Sequence, residues 1–196
     1  MVIERNADLQ WHLGPTLIGR AYIHRAMGEF DKAWTDLNEA LPRLEVLKLV
    51  RYQIMAQDAL GGLFLALNQP ELAVQHFENG LKLAHDAGLV YWQPRLQANL
   101  VMAQLRLGLP HNQAALLSAL QYAQDHDEVW MSARCLEVLA ELALAKGDVQ
   151  ACIAYADRLL SLASRGEMRE MMGQAQRLRG MANVALGVKS EDQVQP

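Results

Sequence analysis

Histidines, cysteines and one acidic cluster are the side chains of this sequence best suited to chemistry. The six histidines are His12, His24, His76, His85, His111 and His126. No two stand four apart around a glutamate, so the zinc-binding helix of metallohydrolases is missing. His76 and His85 are nine residues apart and fall on different helical faces. Surface or helix-end positions are expected for these histidines. Cys135 and Cys152 are too few for a disulfide framework and fit a reducing compartment. Cys152 stands where Ala33 and Ala73 stand earlier in the chain, so a buried small hydrophobe is expected there. Asp125-His126-Asp127-Glu128 is the compact acidic cluster, without EF-hand spacing, and reads as a solvated loop. Gly61-Gly62 lacks the Lys-Ser/Thr ending of a phosphate loop and reads as close helix packing. Ser118, Ser132, Ser161, Ser164 and Ser190 have no nucleophile-elbow context. Nothing assembles an acid, a base and an electrophile stabiliser. The expectation is no catalysis, no cofactor and no metal.

The elements that carry these residues read as helices. Ala, Leu, Gln, Glu and Met dominate, while Gly (13) and Pro (6) are sparse in 196 residues. With 52% apolar residues there is material for a core. The net charge of −4, without runs of like charge, does not indicate a nucleic-acid surface. No apolar run is long enough to span a bilayer, and MVIERNADLQ does not read as a signal peptide. A cytoplasmic protein is expected.

Breaks between helices fall at Gly28, Asn68, Gly108, Gly147 and Gly187, spaced 40, 40, 39 and 40 residues apart. Gly and Asn tolerate the left-handed conformation that closes a helix. Pro70 and Pro110 suit first helical turns, and Asp148 an N-cap. A regular period near 40 marks a solenoid. The expectation is an all-α fold of about nine helices, a right-handed α-solenoid of stacked antiparallel pairs. The repeat domain covers 8–187, in units near 8–48, 51–88, 91–127, 129–166 and 169–187, with a polar tail over 188–196. Inner stripes of the second helices include Ala33-Leu37-Ala40-Leu41, Ala73-Phe77-Gly80-Leu81-Ala84, Leu116-Leu117-Leu120-Ala123 and Cys152-Ala156-Leu159-Leu160-Ala163. Gly61, Ala140 and Gly180 are expected at close helix crossings.

Leu60-Gly61-x-x-Phe64 followed by Ala73-x-x-x-Phe77 resembles the tetratricopeptide repeat, and Gly28-Glu29-Phe30-x-x-Ala33-x-x-x-Leu37 resembles its second half. The period is 40 rather than the usual 34, so the helices are longer by about a turn in total. In that respect the chain is similar to the long-period repeats of bacterial signalling proteins such as MalT-type regulators. The resemblance implies that the first helices form a concave face that takes an extended or helical peptide. Counting back from the breaks places Ile18, Tyr22 and Arg25 on that face, followed by Met55, Asp58 and Leu65. Arg95, Ala98, Met102 and Arg106 come next, then Arg134, Glu137 and Glu141, and last Gln174, Arg177 and Met181. The arginines form a broken basic row suited to carboxylates, and the methionines supply adaptable apolar area. The alternative is that these arginines pair with Asp58, Glu137 and Glu141 on neighbouring helices and merely solvate the face.

Two functions follow from this reading. One is a non-enzymatic protein–protein interaction module, part of a bacterial signalling or transcription-regulating protein, that binds a peptide or protein segment. The other is a small-effector sensor arm of a MalT-type regulator, with Tyr22, Tyr91, Trp92 and Trp130 as stacking surface. The last helix carries Met168, Met171, Met172, Met181, Val184 and Leu186 without a following partner. An uncapped apolar face, open to a homodimer or to more of a longer protein, is expected there.

Overall fold

The computed structural model describes residues 2–192, with side chains from 11 to 187. The chain is all-α. Among the described residues it forms α1 (Val2–Ala26), α2 (Phe30–Val46), α3 (Val50–Ala66), α4 (Pro70–Asp86) and α5 (Gln93–Arg106). After them come α6 (Gln113–Asp125), α7 (Val129–Ala145), α8 (Val149–Arg165) and α9 (Arg169–Asp192). A 3-10 turn, Val90–Trp92, leads into α5.

The contacts divide the chain into two compact units, Met1–His111 and Asn112–Pro196. In the first, α1 packs on α2 and α3, and α3 packs on α2, α4 and α5. In the second, α7 packs on α6, α8 and α9. Odd-numbered helices thus touch one another directly and make the inner layer of each unit, with the even ones outside. Burial follows this arrangement. Nine positions of α3 are buried against four of α4, and eleven of α7 against five of α8. An inner helix is enclosed by several neighbours, while an outer helix buries one stripe.

All eight joins between helices use a left-handed residue: Gly28, Lys48, Asn68, Gly88, Gly108, Asp127, Gly147 and Glu167. The bonding is the Schellman pattern. The N–H after the left-handed residue reaches back to the last turn: Glu29 to His24 (2.8 Å), Leu49 to Leu44 (2.9 Å) and Gln69 to Phe64 (2.8 Å). Met168 to Ala163 (2.9 Å) closes the series. The carbonyls orphaned at each helix end are satisfied in this way. Gly187 is different. It lies inside α9, which runs on to Asp192, so it is not a break, and no tail begins at 188.

Outer helices bury one stripe at i, i+4, i+7, i+11. It is Ala33-Leu37-Ala40-Leu44 in α2, and Ala73-Phe77-Gly80-Ala84 in α4. In α8 it is Cys152-Ala156-Leu159-Ala163. In α6 the stripe is Leu116, Ala119, Leu120 and Ala123, and Leu117 is exposed, contrary to the expected pattern. The register is kept when counted back from Asp127, but the first position falls on Asn112. Asn112 is the N-cap there and accepts from the Ala115 N–H at 3.0 Å. The one-residue deletion behind the 39-residue spacing therefore lies in the join, and Pro110 stands outside the helix. Asp148 caps α8 as expected, accepting from the Ala151 N–H at 3.0 Å.

Gly61 is a close crossing, since a Cβ there would stand 2.4 Å from the Phe77 ring. Ala140 is buried against α8. Gly180 is not a crossing, because a Cβ would meet nothing within 4 Å. Its side of α9 faces away from the packed layers. Where α7 buries Leu136, Leu139 and Ala143, α9 has, 40 residues later, Gln176, Arg179 and Asn183. Arg179 pairs with Asp157 at 2.9 Å. This side of α9 is therefore polar. Met171 is core, Met168, Met172 and Leu186 are half-buried, and Met181 and Val184 are exposed.

Candidate functional site

The inner layer of the first unit carries a polar network that ties three successive first helices together. Asp58 of α3 is its centre and is 2% exposed. Tyr22 of α1 donates its hydroxyl to Asp58 Oδ2 at 2.9 Å. Arg95 of α5 donates Nε to the same oxygen at 2.9 Å and brings Nη2 to 2.6 Å. Asn99, one turn further along α5, donates Nδ2 to Oδ1 at 2.7 Å. The Arg95 guanidinium also lies 5.8 Å from the Tyr22 ring centre and 5.7 Å from that of Trp92. Both oxygens of the buried carboxylate are therefore used, as a desolvated charge requires.

The electrostatics follow from this geometry. Burial pushes the Asp58 carboxyl up, but the Arg95 charge and the bonds from Arg95, Tyr22 and Asn99 together outweigh it and hold its pKa below the usual value. Burial, then the nearby Asp58 charge, pushes the Tyr22 phenol up. The Arg95 pKa is raised because Asp58 and Tyr22 overcome the opposing effect of burial.

Arg25 stands outside this network. It lies beside Gly62, where a Cβ would be 3.7 Å from its guanidinium carbon. Its buried Nε has no hydrogen-bond partner. Trp92 Nε1 is buried without one as well.

In the second unit Arg134 reaches Glu137 on its own helix at 2.6 Å. Arg177 of α9 pairs with Glu141 of α7 and donates Nε to Gln174 at 2.9 Å. Glu141 and Arg177 occupy the same two repeat positions as Tyr22 and Asp58, 36 residues apart in both cases.

The sequence-derived face is thus only partly a surface. Tyr22, Arg25, Met55, Leu65, Arg95, Arg134, Glu141 and Gln174 are half-buried on it, and Arg106, Arg177 and Met181 are exposed. Asp58, Met102 (4%) and Glu137 (5%) are buried, as are Ile18 and Ala98. These five are buried within the fold rather than presented on a surface. Arg95, Arg134 and Arg177 each have an acidic partner, as in the alternative reading of the basic row. Sequence reasoning missed Asn99 as a member of the network. Its signal was its place one helical turn after Arg95.

The other reactive side chains have structural surroundings. His76 is half-buried, with Nδ1 2.7 Å from Gln57 Oε1 and its ring stacked on Phe64 at 5.2 Å. Burial lowers its pKa. Cys135 and Cys152 are free and buried, and burial pushes the Cys135 thiol up to about 12. Among the described residues no group of three His, Cys, Asp or Glu side chains could hold a metal ion. No described helix is long and apolar enough to cross a membrane.

No protein-family model matches the chain, and no curated protein matches its sequence. A solved structure does resemble it in fold. That structure is the crystal structure of BtubC (BKLC) from P. vanneervenii, with a TM-score of 0.63 and 18% identity over 99% of this chain and 89% of that one. At this identity the likeness is one of fold: an all-α chain of helical repeats.

Proposed function

We propose that this chain is a protein-interaction module of the tetratricopeptide type, whose inner helices take a peptide or protein segment. The assignment to that repeat rests on Leu60-Gly61-x-x-Phe64 and Ala73-x-x-x-Phe77, which are joined in space by the seating of Phe77 on Gly61. The observation that carries the binding role is Arg25. It is a cation on the inner layer without a partner among the described residues, beside a network that fixes its neighbours. A buried donor left without a partner is costly, and an incoming acceptor next to it relieves part of that cost. Half-buried Met55 and Leu65 on the adjacent helix offer apolar contact.

Photo-crosslinking in the native host tests this. A photoreactive residue placed at Met55 or Leu65 should join the same partner polypeptide, and one at Glu78 or Lys82 on the outer helix α4 should not. Arg25→Ala should lower the inner-face yield severalfold. Equal capture from both layers, or none from the inner one, refutes the proposal.

A further inference from the structure

The first helices share a second stripe at i, i+3, i+7, on the side that receives the preceding hairpin. In α9 it is Ala175, Leu178 and Ala182, all buried. No described helix follows α9, so α7 and α8 are what bury it, and Leu178 and Ala182 share a core cluster with Ala140, Ala143, Cys152 and Ala156. Counting back by the spacing of the joins gives Cys135, Val138 and Leu142 in α7. Next come Leu96, Asn99 and Ala103 in α5, and Ala56, Ala59 and Leu63 in α3. All nine are buried. The same count reaches Thr16, Gly19 and Ile23 in α1, and these are exposed, Ile23 at 60%. α1 packs on α2 and α3, with Leu17, Ile18 and Ala21 in their common core, which leaves the opposite stripe open. The open stripe extends to His12 and to Met27, 67% exposed, and contains no Asp, Glu, Lys or Arg. The Thr16 hydroxyl is already satisfied by the His12 carbonyl at 2.7 Å. In size, Thr-Gly-Ile follows the Ala-Ala-Leu that α3 buries at the same places.

We infer that α1 docks through this stripe on α1 of a second copy of the chain, antiparallel, about a two-fold axis near Gly19. The stripe continues the interface by which every later first helix receives its neighbours, so its occupant is helical. Head-to-tail stacking of copies is disfavoured, because it would lay the polar side of α9, with Gln176, Arg179 and Asn183, on Ile23 and Met27. A two-fold contact uses the same patch twice and needs that patch to complement itself. The order of sizes along α1 meets this condition. With the helices antiparallel, Gly19 faces the partner's Gly19, Ile23 lies against the partner's Thr16, and Met27 meets the partner's His12. Large side chains then oppose smaller ones around a glycine crossing. A Cβ at Gly19 would meet nothing within 4 Å, so no neighbour in the fold uses its small size. In a parallel pair Ile23 would collide with its own copy and Gly19 would leave a void. Without a charge on the stripe, shape and apolar burial decide the pairing. Arg25 lies off this stripe, so the dimer stands or falls apart from the peptide-binding reading.

Equilibrium sedimentation of the whole chain over a dilution series tests this. The mass should approach twice that of the chain as concentration rises. Ile23→Glu should weaken the dimer by at least about tenfold, since it places a charge at two symmetric points of an apolar contact. Helicity by circular dichroism should not change with that substitution, because Ile23 is exposed, and Arg25→Ala should leave the dimer intact. Oxidative cross-linking reads the register. A mixture of Ile23→Cys and Thr16→Cys chains should form more disulfide dimer than either variant alone, and Glu78→Cys on α4 should form none. The native Cys135 and Cys152 are buried and do not compete. A chain that stays monomeric at every concentration overturns the inference, and so does a dimer that survives Ile23→Glu. Cross-linking as strong at Glu78→Cys, or stronger for Ile23→Cys alone than for the mixture, overturns the antiparallel contact. A monomer whose photoreactive replacement of Ile23 captures a different polypeptide in the native host overturns it as well.

Discussion

Asp58→Ala is the perturbation that most directly tests the architecture of the first unit. The substitution removes the acceptor that Asp58 Oδ1 offers to the buried Asn99 Nδ2. Losing a hydrogen bond to a charged group costs about 1.5–3 kcal/mol. Arg95 loses its counter-charge but keeps a quarter of its side chain in solvent, so its share stays below the full penalty of an enclosed charge. The Tyr22 hydroxyl retains a weak alternative in the Met55 carbonyl at 3.4 Å. The expected loss is about 3 kcal/mol. Arg95→Met should cost a similar amount, because it leaves a carboxylate 2% exposed without its cation. The double variant should cost at least about 1.5 kcal/mol less than the sum, since neither charge is then unpaired. Urea unfolding followed by Trp92 fluorescence reads the relevant unit, because that ring lies against Arg95. The Asp58 pKa is depressed in the fold, so its contribution is complete above the unfolded value of 3.8 and fades as pH falls through the folded one. The gap between wild type and Asp58→Ala should therefore narrow in acid. Strict additivity, with each single loss under about 0.5 kcal/mol, would show that the pair behaves like a surface ion pair and would sink the reasoning.

Gly61→Ala should destabilise the first unit by about 1–3 kcal/mol, because the new methyl overlaps the Phe77 ring at 2.4 Å. Phe77→Leu should restore part of that loss in the double variant, as read by urea midpoints. Lys48→Gly should stabilise by roughly 0.5–1 kcal/mol despite adding a flexible residue, because Lys48 is held at φ 52°. A lowered thermal midpoint would show that the lysine side chain has a role of its own.

The sequence announced the hairpin joins unevenly. Gly28, Asn68, Gly108 and Gly147 are legible because their residue types suit a left-handed backbone. Lys48, Asp127 and Glu167 adopt the same conformation without such a residue, held by Schellman bonds and by the residue that follows, such as Leu49 against the core. Gly187 misled in the opposite sense, since a glycine inside a continuing helix looks like a stop. In α6 three of the four expected stripe residues are buried, and Ala119 takes the place expected of Leu117, as counting back from Asp127 gives. The face residues were legible as positions but not as environments. No local pattern reveals that Asp58 finds Arg95, 37 residues later, on the next inner helix. Counting positions alone also could not distinguish a stripe that meets solvent from one that adjacent helices cover.

The uniformity of the joins has one more consequence. Leu49 and Leu89 end turns that match bond for bond, so the segment between them is an interchangeable cassette. A copy of residues 50–89 spliced in after Leu89 would find a familiar connector upstream and the same one downstream. For such a chain, length can change by duplication in whole modules without inventing any new linkage.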